Sequence, residues 1–335
     1  VHARGVIASV TFHNFKALRD AQIALLPFNL VLGPNGSGKT SLIQALLRLR
    51  TLARLQTGKN ATPGEAQSEG ARIEFQLAAP HEQVTVRLSC VSDLVCDRIE
   101  FSPAGESGRA AVEQAIGGIR AYLFDHYAMA EVCEDKPTLE LVSNGANLSV
   151  VLSTLAAQHP ETFAALEQEL LRIMPEFSRM NFARTAKGSV QLALKLRDEP
   201  GEVTADNLSQ GTLYVLGMMV LAFHPQPPSV VCIEEIDRGI HPRMLREVRD
   251  LLYRLSYPET AGLKRPPVQV IATTHSPYLL DLFRDHPEEI VISHKVGNAA
   301  HFERLSDRED LPELLAEGSL GDLWFSGILG GVPEE

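Results

Sequence analysis

Apolar and polar positions along the chain change period several times, and each change marks an element. Apolar residues at 6–12 and 21–25 predict two strands of an opening hairpin, with residues 14–20 as the connection. The run Phe28-Asn29-Leu30-Val31-Leu32 is of strand length, and Leu42, Ile43, Leu46 and Leu49 then fall on one side of a helix ending near Gln56. Residues 57–64 are polar, without periodicity, and read as a mobile connection. Alternation at Ile73, Phe75 and Leu77, and again at Val84, Val86 and Leu88, predicts an antiparallel pair with one covered face. Residues 102–118 are rich in Gly and Ala and weakly patterned, whereas 119–124 read as a buried strand.

From 147 to 174 the period becomes helical, and Pro160 and Pro175 divide that region into two helices too short for a sustained coiled coil. Val190, Leu192, Leu194 and Leu196 alternate once more. The last third alternates helix and strand: helix 209–223, strand 230–233, helix 242–256, strand 268–272, helix 277–283 and strand 289–293. The fold class is α/β. No repeat and no linker divides the chain, so it reads as a single composite domain over 1–335. Within it, 1–90 form an N-lobe, 91–200 a mixed and helical insertion, and 201–335 a C-lobe.

With 335 residues and 44% hydrophobic content, the chain is long enough for one large core or two lobes. The longest apolar candidate, 213–223, is too short to span a bilayer, so no membrane partner is expected. No secretory leader is read at the start, which is Val1 rather than Met. The net charge of −11 excludes a uniformly basic nucleic-acid surface but not a local one. Seven basic residues lie between Arg238 and Arg265 against Glu247, Asp250 and Glu259, a pattern read as a solvated helix face with i,i+4 pairs such as Arg246 with Asp250. Cys90, Cys96, Cys133 and Cys232 lack metal-ligand spacing and read as structural thiols of a reducing compartment.

Candidate chemistry begins at Gly33-Pro34-Asn35-Gly36-Ser37-Gly38-Lys39-Thr40, between the strand at 28–32 and its helix. Glycines there would let backbone amides converge on phosphate oxygens at a helix N-terminus, while Lys39 would bridge β- and γ-phosphates and Thr40 would ligate magnesium. Val230-Val231-Cys232-Ile233 ends in Glu234 and Glu235. The first carboxylate is placed beside the magnesium shell, and the second toward the water facing the γ-phosphate. Leu208-Ser209-Gln210-Gly211-Thr212 opens a helix, with Ser209 as cap and its free amides as a second anion site. Finally, the strand Ala272-Thr273-Thr274 runs into His275, placed to bond the γ-phosphate or the attacking water.

In this order the four segments resemble the ABC-type ATPases, and among them the SMC-like and RecF-like branch. The resemblance is nearest to stand-alone AAA_21-like ATPases related to the OLD family. Asn14-Phe15-Lys16, residues 143–148 and Leu323-Trp324-Phe325-Ser326-Gly327 share in it. It implies a P-loop NTPase fold of the ABC/SMC-head type: two lobes, a mixed parallel core sheet, an antiparallel β-subdomain and a helical insertion. It further implies ATP and Mg2+ as cofactors. Asn35, Gly36, Ser37, Gly38, Lys39, Thr40 and Ser41 (Walker A), with Ser209 and Gly211 (signature), would bind nucleotide. Thr40 and Glu234 would hold the metal, Glu235 and His275 would be catalytic, and 236–242 would form the D-loop.

An ATP-dependent head-to-tail homodimer is implied, acting in the cytoplasm on DNA or with a partner nuclease or other effector, in DNA repair and maintenance or in anti-phage defence. Three departures stand out: Glu234 where the wider superfamily has Asp, Thr212 where transporter subunits have Gln, and no evident Q-loop glutamine, leaving Asp125, His126 or Tyr127 at that position. The rival readings are a transporter nucleotide-binding subunit and a non-hydrolysing scaffold. The absence of an Asn-Lys-x-Asp motif argues against a GTPase.

Overall fold

The computed structural model describes residues 5–56, 70–93, 95–103, 108–184 and 188–330. The expected connection at 57–64 lies outside them. The chain divides into two compact units, one formed by Val1–Ala121, Pro228–Glu235 and Ser256–Glu335, the other by Tyr122–Pro227 and Ile236–Leu255.

The first unit is built on a six-stranded sheet in the order Ala299–Arg304, Ile290–Val296, Phe28–Leu32, Gln269–Thr274, Val230–Ile233, Ile119–Tyr122. Phe28–Leu32 runs parallel to both neighbours, with Val31 opposite Thr273 on one side and Val291 on the other. Every residue of Phe28–Leu32, Val230–Ile233 and Gln269–Thr274 is buried, as expected of parallel strands covered on both faces. The helix Lys39–Gln56 follows the first of these strands. Its apolar stripe of Leu42, Ile43, Leu46 and Leu49 joins one cluster with Val31, Ile271 and Val291 of this sheet and Phe12, Ile73, Phe75 and Val86 of a second. Each such side chain contributes about 1.5–3 kcal/mol on burial.

That second sheet is antiparallel throughout, in the order Leu18–Ala24, Ile7–Phe15, Ala71–Leu77, Thr85–Cys90, Cys96–Ser102. The alternating pair appears as predicted, with Ile73 opposite Leu88 and Phe75 opposite Val86. The opening hairpin is longer than the sequence implied. Its ladder continues to Phe15 opposite Leu18, leaving only Lys16 and Ala17 at the turn. Phe15 and Leu18 are fully buried and anchor the tip, which the polar neighbours Asn14, Lys16 and Arg19 disguise.

Two elements had no legible pattern: Cys96–Ser102 buries only Ile99, and the helix Arg109–Gly117 buries only Val112 and Ile116. The hairpin register also places Cys90 opposite Cys96, and the two form a disulfide. This corrects the reading of four free thiols; Cys133 and Cys232 are free.

Gln269 ties the two sheets together. Fully buried, its Oε1 accepts from Val6 N (3.2 Å) and Ile7 N (3.0 Å), and its Nε2 donates to Ile7 O (2.8 Å) and Leu26 O (3.1 Å).

In the second unit, Ser189–Leu196 pairs antiparallel with Phe177–Arg184, Glu202–Thr204 and Cys133–Glu134. Phe177–Arg184 was not expected from sequence, because its buried positions are only Phe177 and Met180. Two helices, Leu148–Gln158 and Pro160–Ile173, match the expected pair, with Pro160 in the first turn of the second. Gln210–Ala222 is buried almost all round, as a core helix should be, and Tyr214 donates to Phe124 O at 2.8 Å. Along Leu245–Ser256, Asp250 pairs with Arg249 at 2.7 Å rather than with Arg246. Among the described residues, no helix is long and apolar enough to cross a membrane.

Replacing Gln269 by Leu is expected to destabilise the protein by about 3 kcal/mol or more, since four backbone groups, two buried and two partly buried, lose their partner. Urea denaturation monitored by circular dichroism measures the loss, and an unchanged midpoint would show that the amide clamp contributes nothing.

Candidate nucleotide site

The parallel strands of the first unit all point their C-terminal ends at one edge of the sheet, where ligands of open α/β sheets bind. Phe28–Leu32 delivers the loop 33–40 there, Val230–Ile233 delivers Glu234 and Glu235, and Gln269–Thr274 delivers His275. A single pocket is lined by Asn35, Gly36, Gly38, Lys39, Thr40 and Ser41 from the loop and helix, and by Glu234, Glu235, Thr273 and His275 from the strand ends.

The loop is held tightly. Gly38 has φ +104°, a conformation that favours glycine, and a Cβ at Gly33 would lie 2.1 Å from Ser293 O. Ser293 Oγ also donates to Ser37 O from beneath the loop. Ser37 itself is buried and does not line the pocket. Lys39 is largely buried, and its Nζ donates to Gly33 O (2.6 Å) and Pro34 O (3.0 Å). Burial lowers its pKa to about 8, against the opposing pull of Glu235 and Glu234. An anion entering here therefore favours the protonated amine and draws a proton onto it in mildly alkaline solution.

Thr40 Oγ1 donates to Glu234 Oε2 at 2.9 Å, which brings together the two residues expected at the metal. Both offer hard oxygen donors suited to magnesium. No group of three or more His, Cys, Asp or Glu side chains that could hold a metal occurs among the described residues, so such an ion would depend on phosphate oxygens and water for its remaining ligands.

Glu235 follows with φ +53°, a left-handed conformation rare for its residue type. Its N–H donates to Thr273 Oγ1 at 3.0 Å. Thr273 is buried and was not singled out as a site residue. The available signal was a hydroxyl side chain at the end of an otherwise apolar strand. His275 is exposed at the pocket wall, and Ser276 next to it caps the helix Pro277–Asp281.

Ser209 and Gly211 lie in the second unit and do not line this pocket. Ser209 is exposed and caps Gln210–Ala222, its Oγ accepting from Thr212 N at 3.1 Å and lying 2.8 Å from Thr212 Oγ1. Thr212, the departure from Gln, thus completes the cap. Gly211 is buried where a Cβ would come within 2.8 Å of Gly239 O, so the signature segment and the 236–242 segment pack backbone to backbone. Of the three residues left open for the Q-loop, Asp125 is engaged as a helix cap toward Ala128 N (3.1 Å), and none of the three lines the pocket.

The sequence matches the AAA_21 family ("AAA domain, putative AbiEii toxin, Type IV TA system") over residues 28–281. The chain belongs to this family. AAA_21 membership and the fold agree with the SMC-like, ABC-type ATPase resemblance of the motifs. A structure of an SMC head bound to the C-terminal winged-helix domain of ScpA aligns over 92% of this chain and 99% of that chain, at 14% identity and TM-score 0.57. The SMC head domain from Thermotoga maritima covers 89% and 98%, at 12% identity and TM-score 0.51. A Pyrococcus furiosus SMC head with an extended coiled coil, bound to the C-terminal domain of ScpA, covers 93% and 99%, at 14% identity and TM-score 0.55. At these identities the likeness is one of fold. No curated protein matches this AAA_21 sequence.

The left-handed backbone of Glu235 costs about 1–2 kcal/mol for a residue with a Cβ, a cost that asparagine largely escapes. Glu235→Asn is therefore expected to be more stable than the equally uncharged Glu235→Gln, by about 1 kcal/mol. Urea midpoints of the two variants measure this, and coincident curves would show that the conformation carries no strain.

Proposed function

We propose that this protein binds and hydrolyses ATP, and that ATP joins two copies of it head to tail in a switch that acts on DNA or on a DNA-processing partner. The observation that carries this reading is the pocket itself: Lys39, Thr40, Glu234, Glu235 and His275 come from three separate stretches of chain and line one cavity at the strand ends. Loop amides from Asn35 to Thr40, with Ser41, cradle the phosphates, and Lys39 transfers its hydrogen bonds from Gly33 O and Pro34 O to phosphate oxygens. Thr40 and Glu234 would hold Mg2+, which when bound neutralises charge building on the phosphates. Glu235 orients a water and accepts its proton as the water oxygen attacks the γ-phosphorus. The bond from that phosphorus to the β–γ bridging oxygen breaks, releasing ADP and phosphate. His275 hydrogen-bonds the γ-phosphate or the attacking water.

Exposure of Ser209 supports the dimer reading. It caps the start of a thirteen-residue helix, whose N-terminal end favours an anion such as the γ-phosphate held by a second copy. In this reading both units form one composite ATPase domain. The DNA reading is supported by Arg243 and Arg246, which are exposed at and beside the start of Leu245–Ser256. Repair and maintenance of DNA, or defence against phage, are the cytoplasmic roles that fit such a switch, with a nuclease or other effector as partner.

Size-exclusion chromatography with light scattering tests the switch. Glu235→Gln with ATP and magnesium is expected to run as a dimer, while Lys39→Ala remains a monomer and neither turns over ATP. One mass for both variants would refute the dimer. On duplex DNA, binding is expected to weaken with rising salt, and neutralising Arg243 and Arg246 should flatten that slope by about two units at most. Salt-independent binding, or none with and without ATP, would refute the DNA reading.

A further inference from the structure

Outside the motif residues, Lys295 brings an ammonium close to the phosphate loop. Ser293 and Lys295 are alternate residues of Ile290–Val296 and so share a face of that strand. Ser293 is fully buried and braces the loop from beneath through Ser37 O. Lys295, two residues on, is exposed, and its Nζ lies 3.5 Å from the point where a Cβ on Gly36 would sit. The strand end is fixed on its other side as well. Lys295 pairs across the hairpin with Ala300, whose N–H donates to Ala17 O at 2.8 Å and whose Cβ would lie 3.3 Å from a Cβ on Gly38. Two glycines of the loop thus face residues that are opposite each other on one hairpin.

The charge balance gives this placement a purpose. The pocket wall carries two carboxylates, Glu234 and Glu235, against one amine, Lys39. Besides the loop amides and Mg2+, a further positive charge at the rim would offset the repulsion that a polyphosphate meets from those carboxylates. Lys295 forms no ion pair among the described residues, and a flexible ammonium at the mouth of the loop suits a phosphate oxygen.

We propose that Lys295 is a second phosphate ligand of the bound nucleotide, reaching over Gly36 from the strand beside the loop. This rests on the nucleotide-binding reading above. It adds a contact from the last hairpin of the sheet, so that the strand bracing the loop also supplies charge to its ligand.

Titration of the full chain with fluorescent ATP and ADP analogues in the presence of magnesium tests it. Lys295→Ala is expected to bind both about tenfold more weakly at low salt, as for loss of a charge-assisted hydrogen bond. Lys295→Arg should retain most of the affinity and Lys295→Glu should lose more than the alanine variant. The deficit should shrink as potassium chloride is raised, while the urea midpoint of the nucleotide-free protein stays unchanged. Equal affinities for wild type and Lys295→Ala would overturn the proposal. So would a deficit that ignores salt or accompanies a lowered midpoint, since either marks a structural role. If wild type itself binds neither nucleotide, the nucleotide reading fails first and the proposal falls with it.

Discussion

The parallel pairing of Phe28–Leu32 between Gln269–Thr274 and Ile290–Val296 is the constraint on which the site depends. Parallel register makes all three strands end at the same edge, so the phosphate loop, His275 and Lys295 are neighbours although they are far apart in sequence. Burial of both sheet faces fixes that register, because slipping a strand by one residue would exchange every side chain between faces. The apolar stripe of Lys39–Gln56 then holds the helix start in place beneath the loop, and with it the convergent amides.

Polar groups at the strand ends are placed against this apolar background. Lys39 is close to two carboxylates yet hydrogen-bonds backbone carbonyls, and Thr40 bonds Glu234. Such an arrangement keeps charged side chains satisfied without a ligand and ready to exchange partners when one arrives. Strain at Glu235 belongs to the same picture, since unfavourable backbone conformations persist where surrounding contacts impose them, and they collect at functional sites.

Most of this architecture was legible in the sequence wherever burial is two-sided or strictly alternating. Val230–Ile233 and Lys39–Gln56 stand where their apolar patterns placed them. Patterns failed where an element buries one or two residues, as in Cys96–Ser102, Arg109–Gly117 and Phe177–Arg184. The disulfide followed from the first of these, because without the strand nothing sets Cys96 opposite Cys90. At the pocket, Lys39, Thr40, Glu234, Glu235 and His275 stood out by local spacing, whereas Thr273 and Lys295 did not. Their proximity to Glu235 and Gly36 exists only after distant strands have paired.

The bond from Glu235 N–H to Thr273 Oγ1 has a mechanical consequence. It crosslinks the tips of two adjacent strands, one carrying the carboxylate at its end and the other carrying the histidine two residues beyond the hydroxyl. Together with the parallel ladder that ends at Ile233 opposite Ala272, it couples the two tips, so a shift of the backbone at Glu235 is felt at Thr273 and, two residues on, at His275.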